Sequence, residues 1–118
     1  MKILILDDDD AILELCNKFL DDMANNIYKT LNQESAFNYL RLNKADLFLI
    51  DHNLEEGTGL DFIKDLRSKG IETRCILCSS SFTDKIKNIA LLFDNVDLLE
   101  KPFNKEELLK LITPAPLT

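Results

Sequence analysis

Short apolar runs that each end on a polar residue alternate with segments of helical period along this chain. Ile3-Leu4-Ile5-Leu6 runs into Asp7-Asp8-Asp9-Asp10, Leu47-Phe48-Leu49-Ile50 into Asp51, Arg74 to Cys78 into Ser79-Ser80-Ser81, and Val96 to Glu100 into Lys101-Pro102. Runs that are apolar at successive positions belong to strands covered on both faces, and strands that alternate with helices build a parallel sheet flanked by helices. The pattern therefore predicts an α/β domain.

Between the runs, apolar residues recur three or four apart. Ile12, Leu15, Cys16, Phe19, Leu20 and Met23 form one stripe, with Asp9 or Asp10 placed to cap its free N–H groups and Asn25-Asn26 to break it. Ile27 to Thr30 predicts a second strand, after which Asn32 opens a helix through Ala36, Phe37 and Leu40, reaching toward Leu42. His52 to Gly59, with Gly57 and Gly59, reads as a loop. Leu60, Phe62, Ile63 and Leu66 mark the next helix, which stops at Gly70 after basic Arg67 and Lys69. Ile86, Ile89, Ala90 and Phe93 mark another, fraying at Asp94-Asn95, and Asn104 with Glu107 matches a capping box for a last helix from Lys105 to Ile112. Five strands and five helices result. Pro114 and Pro116 bar that helix from the segment 113–118, which reads as a tail or the opening of a linker.

Size and charge narrow the function. The chain's 118 residues suit one domain, 1–112, on the usual scale of roughly 100 to 200 residues. A net charge of −7, with no Arg/Lys stripe, argues against direct nucleic-acid binding. The apolar start is too short for a signal peptide, no apolar run approaches the roughly 20 residues of a membrane span, and three Cys do not suit a stapled secreted domain. A cytoplasmic setting without membrane attachment is expected.

In an open parallel sheet, ligands bind at the carboxyl ends of the strands. Those ends carry Asp7 with Asp8, Asp51, Ser79 and Lys101. Carboxylates from the first and third strands would be neighbours at the sheet centre, and such crowding makes sense around a hard cation, magnesium or manganese rather than zinc. Asp9 and Asp10 have an alternative use as helix caps; Asp51 precedes no helix directly.

Four motifs in this order, Ile-Leu-Asp-Asp-Asp ending at Asp9, Leu-Ile-Asp ending at Asp51, Cys-Ser-Ser at Cys78 to Ser80 and Lys-Pro-Phe at Lys101 to Phe103, resemble the receiver domain of bacterial two-component response regulators, chemotaxis-type single-domain regulators included. The resemblance runs from Lys2 to about Ile112. It implies a flavodoxin-like three-layer α/β/α sandwich with strand order 2-1-3-4-5. Asp51 would be the phosphoacceptor, converted to phosphoaspartate, with Ser79 as the hydroxyl residue and Lys101 as the phosphoryl-binding lysine, joined to Pro102 by a cis peptide. The implied metal set is Asp7, Asp8, Asp51 and the Asn53 carbonyl holding Mg2+, with Mn2+ able to substitute. Implied partners are a sensor histidine kinase or phosphotransfer protein and a downstream protein or fused effector domain, with homodimerisation on activation as a further option. The resemblance implies self-phosphorylation and dephosphorylation rather than turnover of an external substrate.

The departures concern loops and output. Glu55 and Thr58-Gly59 stand where the family commonly has a proline and an Asp-Gly pair, Asp94-Asn95 where it has Gly-Ala, and Leu98 where a switching aromatic is usual. Two other functions compete. An aspartyl-phosphate phosphatase would need an acid two residues after the nucleophile, where Asn53 stands, and a receiver-like platform independent of phosphorylation is kept open by Leu98. His52 reads as a solvent-side loop residue. Cys75 and Cys78, three apart in a strand, should point to opposite faces, and Cys16 should pack in the core.

Overall fold

The computed structural model describes residues 1–21 and 26–112; Met23, Asn25 and the segment 113–118 lie outside them. Ten elements alternate: β1 (Lys2–Leu6), α1 (Asp10–Leu20), β2 (Asn26–Thr30), α2 (Gln33–Leu40), β3 (Leu47–Asp51), α3 (Gly59–Ser68), β4 (Arg74–Ser79), α4 (Asp84–Ala90), β5 (Val96–Glu100) and α5 (Lys105–Ile112). All strand pairs are parallel, and the order is β2-β1-β3-β4-β5. The fold is a flavodoxin-like three-layer α/β/α sandwich.

The successive apolar residues of the central strands divide between two cores by the period of two of a pleated strand. Ile3, Ile5, Leu47, Leu49, Ile76 and Cys78 face one side, where α1 contributes Leu13, Cys16 and Leu20 and α5 contributes Leu108 and Ile112. Leu4, Leu6, Phe48, Ile50, Cys75 and Leu77 face the other, where Phe62, Ile63 and Leu66 of α3 supply most of the cover, joined by Ala36 of α2 and Ala90 of α4. Cys75 and Cys78 thus lie on opposite faces. Each fully buried Phe, Leu or Ile contributes about 1.5–3 kcal/mol, so β1, β3 and β4 anchor the fold.

Caps set the helix starts. Asp9, not Asp10, accepts from Ala11 N–H, Asn32 from Ser35, Thr83 from Ile86, and Thr58 and Asp61 form a reciprocal box. Asn104 and Glu107 form the second box. Two sequence expectations need correction. Leu42 lies beyond α2 and is 91 % exposed, because the chain leaves the helix at Arg41. The fourth helix ends at Ala90 and not at Phe93: Leu92 and Phe93 donate to carbonyls three residues back, tightening the turn, and Asn95 at φ 63° then redirects the chain into β5.

One glycine is required by close approach. A Cβ on Gly59 would lie 2.6 Å from the Asp51 carbonyl oxygen and 2.5 Å from a Leu77 methyl, so the start of α3 presses directly on the end of β3. Gly70 ends α3 at φ 78° with open space around it. Gly59→Ala is expected to cost ~3 kcal/mol or more through backbone displacement, and Gly70→Ala about 1 kcal/mol through the left-handed conformation alone. Urea midpoints of the two variants check the order.

Candidate functional site

The strand order reverses between β1 and β3, and a crevice opens at their carboxyl ends. Leu6 pairs with Ile50, Asp51 with Cys78 and Ser79 with Glu100, so the register alone brings the residues at the ends of β1, β3, β4 and β5 to one edge. Asp7 follows β1, Asp51 ends β3, Ser79 ends β4 and Lys101 follows β5. Two backbone bonds extend the alignment: His52 N–H donates to the Cys78 carbonyl at 2.8 Å, and Lys101 N–H to the Ser79 carbonyl at 2.8 Å. The Lys101–Pro102 peptide is cis.

Lys101 reaches back over the sheet. Its Nζ lies 3.1 Å from Asp7 Oδ2 and 3.1 Å from Asp51 Oδ1. The carboxylates are 3 % and 7 % exposed, so water screens neither well. Asp7 Oδ1 also accepts from Asp9 N–H at 2.9 Å. Burial still raises the Asp7 carboxyl above its ordinary range, because the Asp9 N–H and the Lys101 ammonium offset it only in part. For Lys101 the balance runs the other way: burial disfavours the ammonium, but its bonds and attraction to Asp7 and Asp51 together raise its pKa.

Asp8 is more open than either partner and lines a crevice of about 460 Å³ with Asp10, Asn32, Glu34, Glu55 and Glu56. Asp7, Asp8 and Asp51 each offer a carboxylate oxygen, and these oxygens lie within 4.8 Å of one another. Three carboxylates against one ammonium leave two negative charges uncompensated, and an all-oxygen donor set fits a hard divalent cation. The thiols offer no softer alternative: burial pushes Cys16 up to about 12 and Cys75 up to about 11, and raises Cys78 as well, so all three stay protonated.

Ser79 is 1 % exposed, and its hydroxyl is turned into its own loop. It donates to the Ser81 carbonyl at 3.0 Å and accepts from Ser81 N–H at 3.3 Å. The Asn53 side-chain amide lies 3.5 Å from the same oxygen, a link between the loops after β3 and β4 that the sequence does not announce. Gln33 makes another, donating to the Glu56 carbonyl at 2.9 Å across the crevice. His52 is corrected: it is no solvent-side residue but 8 % exposed, held in the continuation of β3 by its bond to Cys78 and by accepting Gly59 N–H at 2.9 Å. A glycine eight residues after the end of β3, directly at a helix start, was the available signal. Leu98 lies opposite Leu77 in β5 and packs half-buried against the α2–α4 side of the core.

The model of the response regulator receiver domain family matches residues 3–113. The cell cycle response regulator CtrA of Brucella ovis is 29% identical over 111 residues, covering 92% of this chain and 47% of the relative, and that of Brucella canis gives the same figures. The chain thus spans about half the length of these curated relatives. Among solved structures, the chemotaxis protein CheY4 of Vibrio cholerae superposes with a TM-score of 0.86 at 24% identity, covering 94% of both chains. The receiver domain of Francisella response regulator 1452 gives 0.81 at 25% identity, covering 94% of this chain and 93% of that one. With its fold, its acidic cluster consistent with a phosphoacceptor and divalent-metal site, and a family match over nearly its whole length, the chain belongs to the response regulator receiver domain family.

Proposed function

We propose that residues 1–112 act as a phosphoacceptor receiver in a two-component phosphorelay, with Asp51 as the acceptor. The observation that carries this reading is the Lys101 ammonium, 3.1 Å from both Asp7 and Asp51 beside a three-carboxylate cluster. A Asp51 carboxylate oxygen attacks the phosphorus of a phosphohistidine on a sensor kinase or phosphotransfer protein. The P–N bond breaks, the ring nitrogen keeps the electron pair and the imidazole leaves neutral with a proton taken from solvent, and an acyl phosphate forms on Asp51. Asp7, Asp8, Asp51 and the Asn53 carbonyl would hold Mg2+, or Mn2+ in its place. That ion, when bound, supplies positive charge against the phosphoryl oxygens.

Lys101 gives up its Asp51 contact to the incoming phosphoryl group and keeps Asp7, so its charge stays within the site throughout. Ser79 has to leave the Ser81 carbonyl to donate to a phosphoryl oxygen, and that exchange moves the loop leading into α4. Leu98, shorter than the aromatic usual in the family, follows the vacated space only in part. The reading extends to a downstream protein or fused effector as recipient of the signal, to homodimerisation on activation as one output, and to a cytoplasmic setting. Among the described residues no helix is long and apolar enough to cross a membrane.

Asp51→Asn is expected to abolish the gain of one phosphoryl group that the wild-type protein shows by intact mass after acetyl phosphate and magnesium. Lys101→Ala should keep metal binding and reduce that gain. A persisting single adduct on Asp51→Asn would refute the assignment.

The Asp7 carboxyl generates a stability prediction. Its pKa is raised by folding, so its contribution is full below the ordinary carboxylate range and is lost as pH rises through the raised value. At neutral pH without metal its charge is a net cost. Asp7→Asn should therefore raise the urea midpoint in chelator at neutral pH, with a smaller gain at mildly acid pH. Magnesium should raise the midpoint of the wild type more than that of the variant. A variant less stable than wild type in chelator at neutral pH would contradict this.

A further inference from the structure

A groove of about 570 Å³ runs between α3 and α4, on the side of the molecule away from α1 and α5. Its floor is apolar. Leu60 enters from the start of α3, while Ile86, Ile89 and Phe93, spaced as one helical stripe, come from α4 and the turn after it. Those three α4-side residues are only partly buried, and Ala90 is the one residue that α4 itself buries. The helix therefore lies on the sheet with its apolar stripe incompletely covered.

His52 also lines this groove. Its ring is buried, and Nδ1 has no hydrogen-bond partner among the described residues. An unmade bond of this kind costs about 1–3 kcal/mol, which a polar group entering the groove would recover. The rim is basic although the protein carries a net charge of −7. Lys64 on α3 and Lys85 on α4 are exposed and pair with no carboxylate among the described residues. Asp61, the acidic residue on the same rim, is committed to the Thr58 N–H in the capping box of α3.

We propose that the α3–α4 groove is a docking site for an acidic amphipathic helical segment of a partner protein. An apolar stripe on such a segment covers Ile86, Ile89 and Phe93, while its flanking carboxylates meet Lys64 and Lys85. The net charge of −7 disfavours an acidic segment on the receiver at large, so the two lysines of this rim favour docking here. The covered area is small, and affinity is accordingly weak, on the order of micromolar or looser. The docking site does not rest on the phosphoacceptor reading. It is nonetheless connected to that site by the chain itself, because His52 follows Asp51 and Thr83 closes the loop that Ser79 opens.

The test uses the 118-residue chain, isotope-labelled for amide chemical shifts. The probe is a synthetic helix about 15 residues long with leucine at i, i+3, i+4 and i+7 spacing and glutamate on both flanks. Saturable shifts concentrated at positions 58–64 and 83–93 are expected. The Lys64→Glu/Lys85→Glu variant should bind this peptide roughly fivefold more weakly. A peptide with lysine in place of glutamate should show the opposite preference, binding the variant better than the wild type. Both substituted residues are exposed, so the variant should fold, and far-UV circular dichroism checks it. Absent shifts, shifts centred on other elements, or equal binding of both peptides to both proteins would overturn the proposal. So would sedimentation showing that the groove is already covered by a second copy of the chain.

Discussion

Two carboxylates nearly sealed from water at adjacent strand ends repel each other, and the Lys101 ammonium between them makes the arrangement tenable. Lys101 is held by its own backbone, since its N–H bonds the Ser79 carbonyl and so fixes where β5 leaves the sheet. The charge balance at the carboxyl edge therefore depends on β4 and β5 being in register, and that register in turn depends on the two apolar cores that fix the strands. Replacing the ion pair with apolar residues of similar volume is expected to be about neutral for stability. Its place in the molecule follows from the site it leaves, with two uncompensated negative charges in a crevice open to solvent.

The same edge links binding to helix formation. Asp7 Oδ1 holds Asp9 N–H, and Asp9 in turn caps α1. A cation drawn to Asp7 and Asp8 thus acts on a carboxylate that also positions the first turn of α1. The loops after β3 and β4 meet in a comparable way at Asn53 and Ser79. A shift of either loop therefore alters a contact of the other.

What could be read from residue order was what local physics decides. The ends of β3 and β5, the span of α5 and its Asn104–Glu107 box follow from runs of apolar residues and from capping chemistry over a few positions. Leu42 misled because an exposed leucine continues a helical period as well as a buried one does, and Phe93 because a partly buried residue in the turn after a helix keeps the helical spacing, so that only the turn geometry up to Asn95 shows where α4 stops. The burial of His52 depends on Gly59 lying against the end of β3, which is a tertiary contact. The approach of Lys101 to Asp7 spans 94 positions, and no periodicity reports it; the family resemblance of the strand-end motifs brought those residues together.

Arg67 gives α4 an unusual mechanical position. Its guanidinium donates to the carbonyls of Ile71, Thr73 and Asp94, tying the exit of α4 to the far end of α3. At the other end, the loop into α4 is tied to the sheet where Lys101 bonds the Ser79 carbonyl. Between these two clamps the helix buries only Ala90. A segment pinned at both ends and thinly packed in the middle behaves as a strut that can bow or rotate without detaching, and its amides should open to exchange at lower free energy than those of α3 while the sheet beneath stays closed.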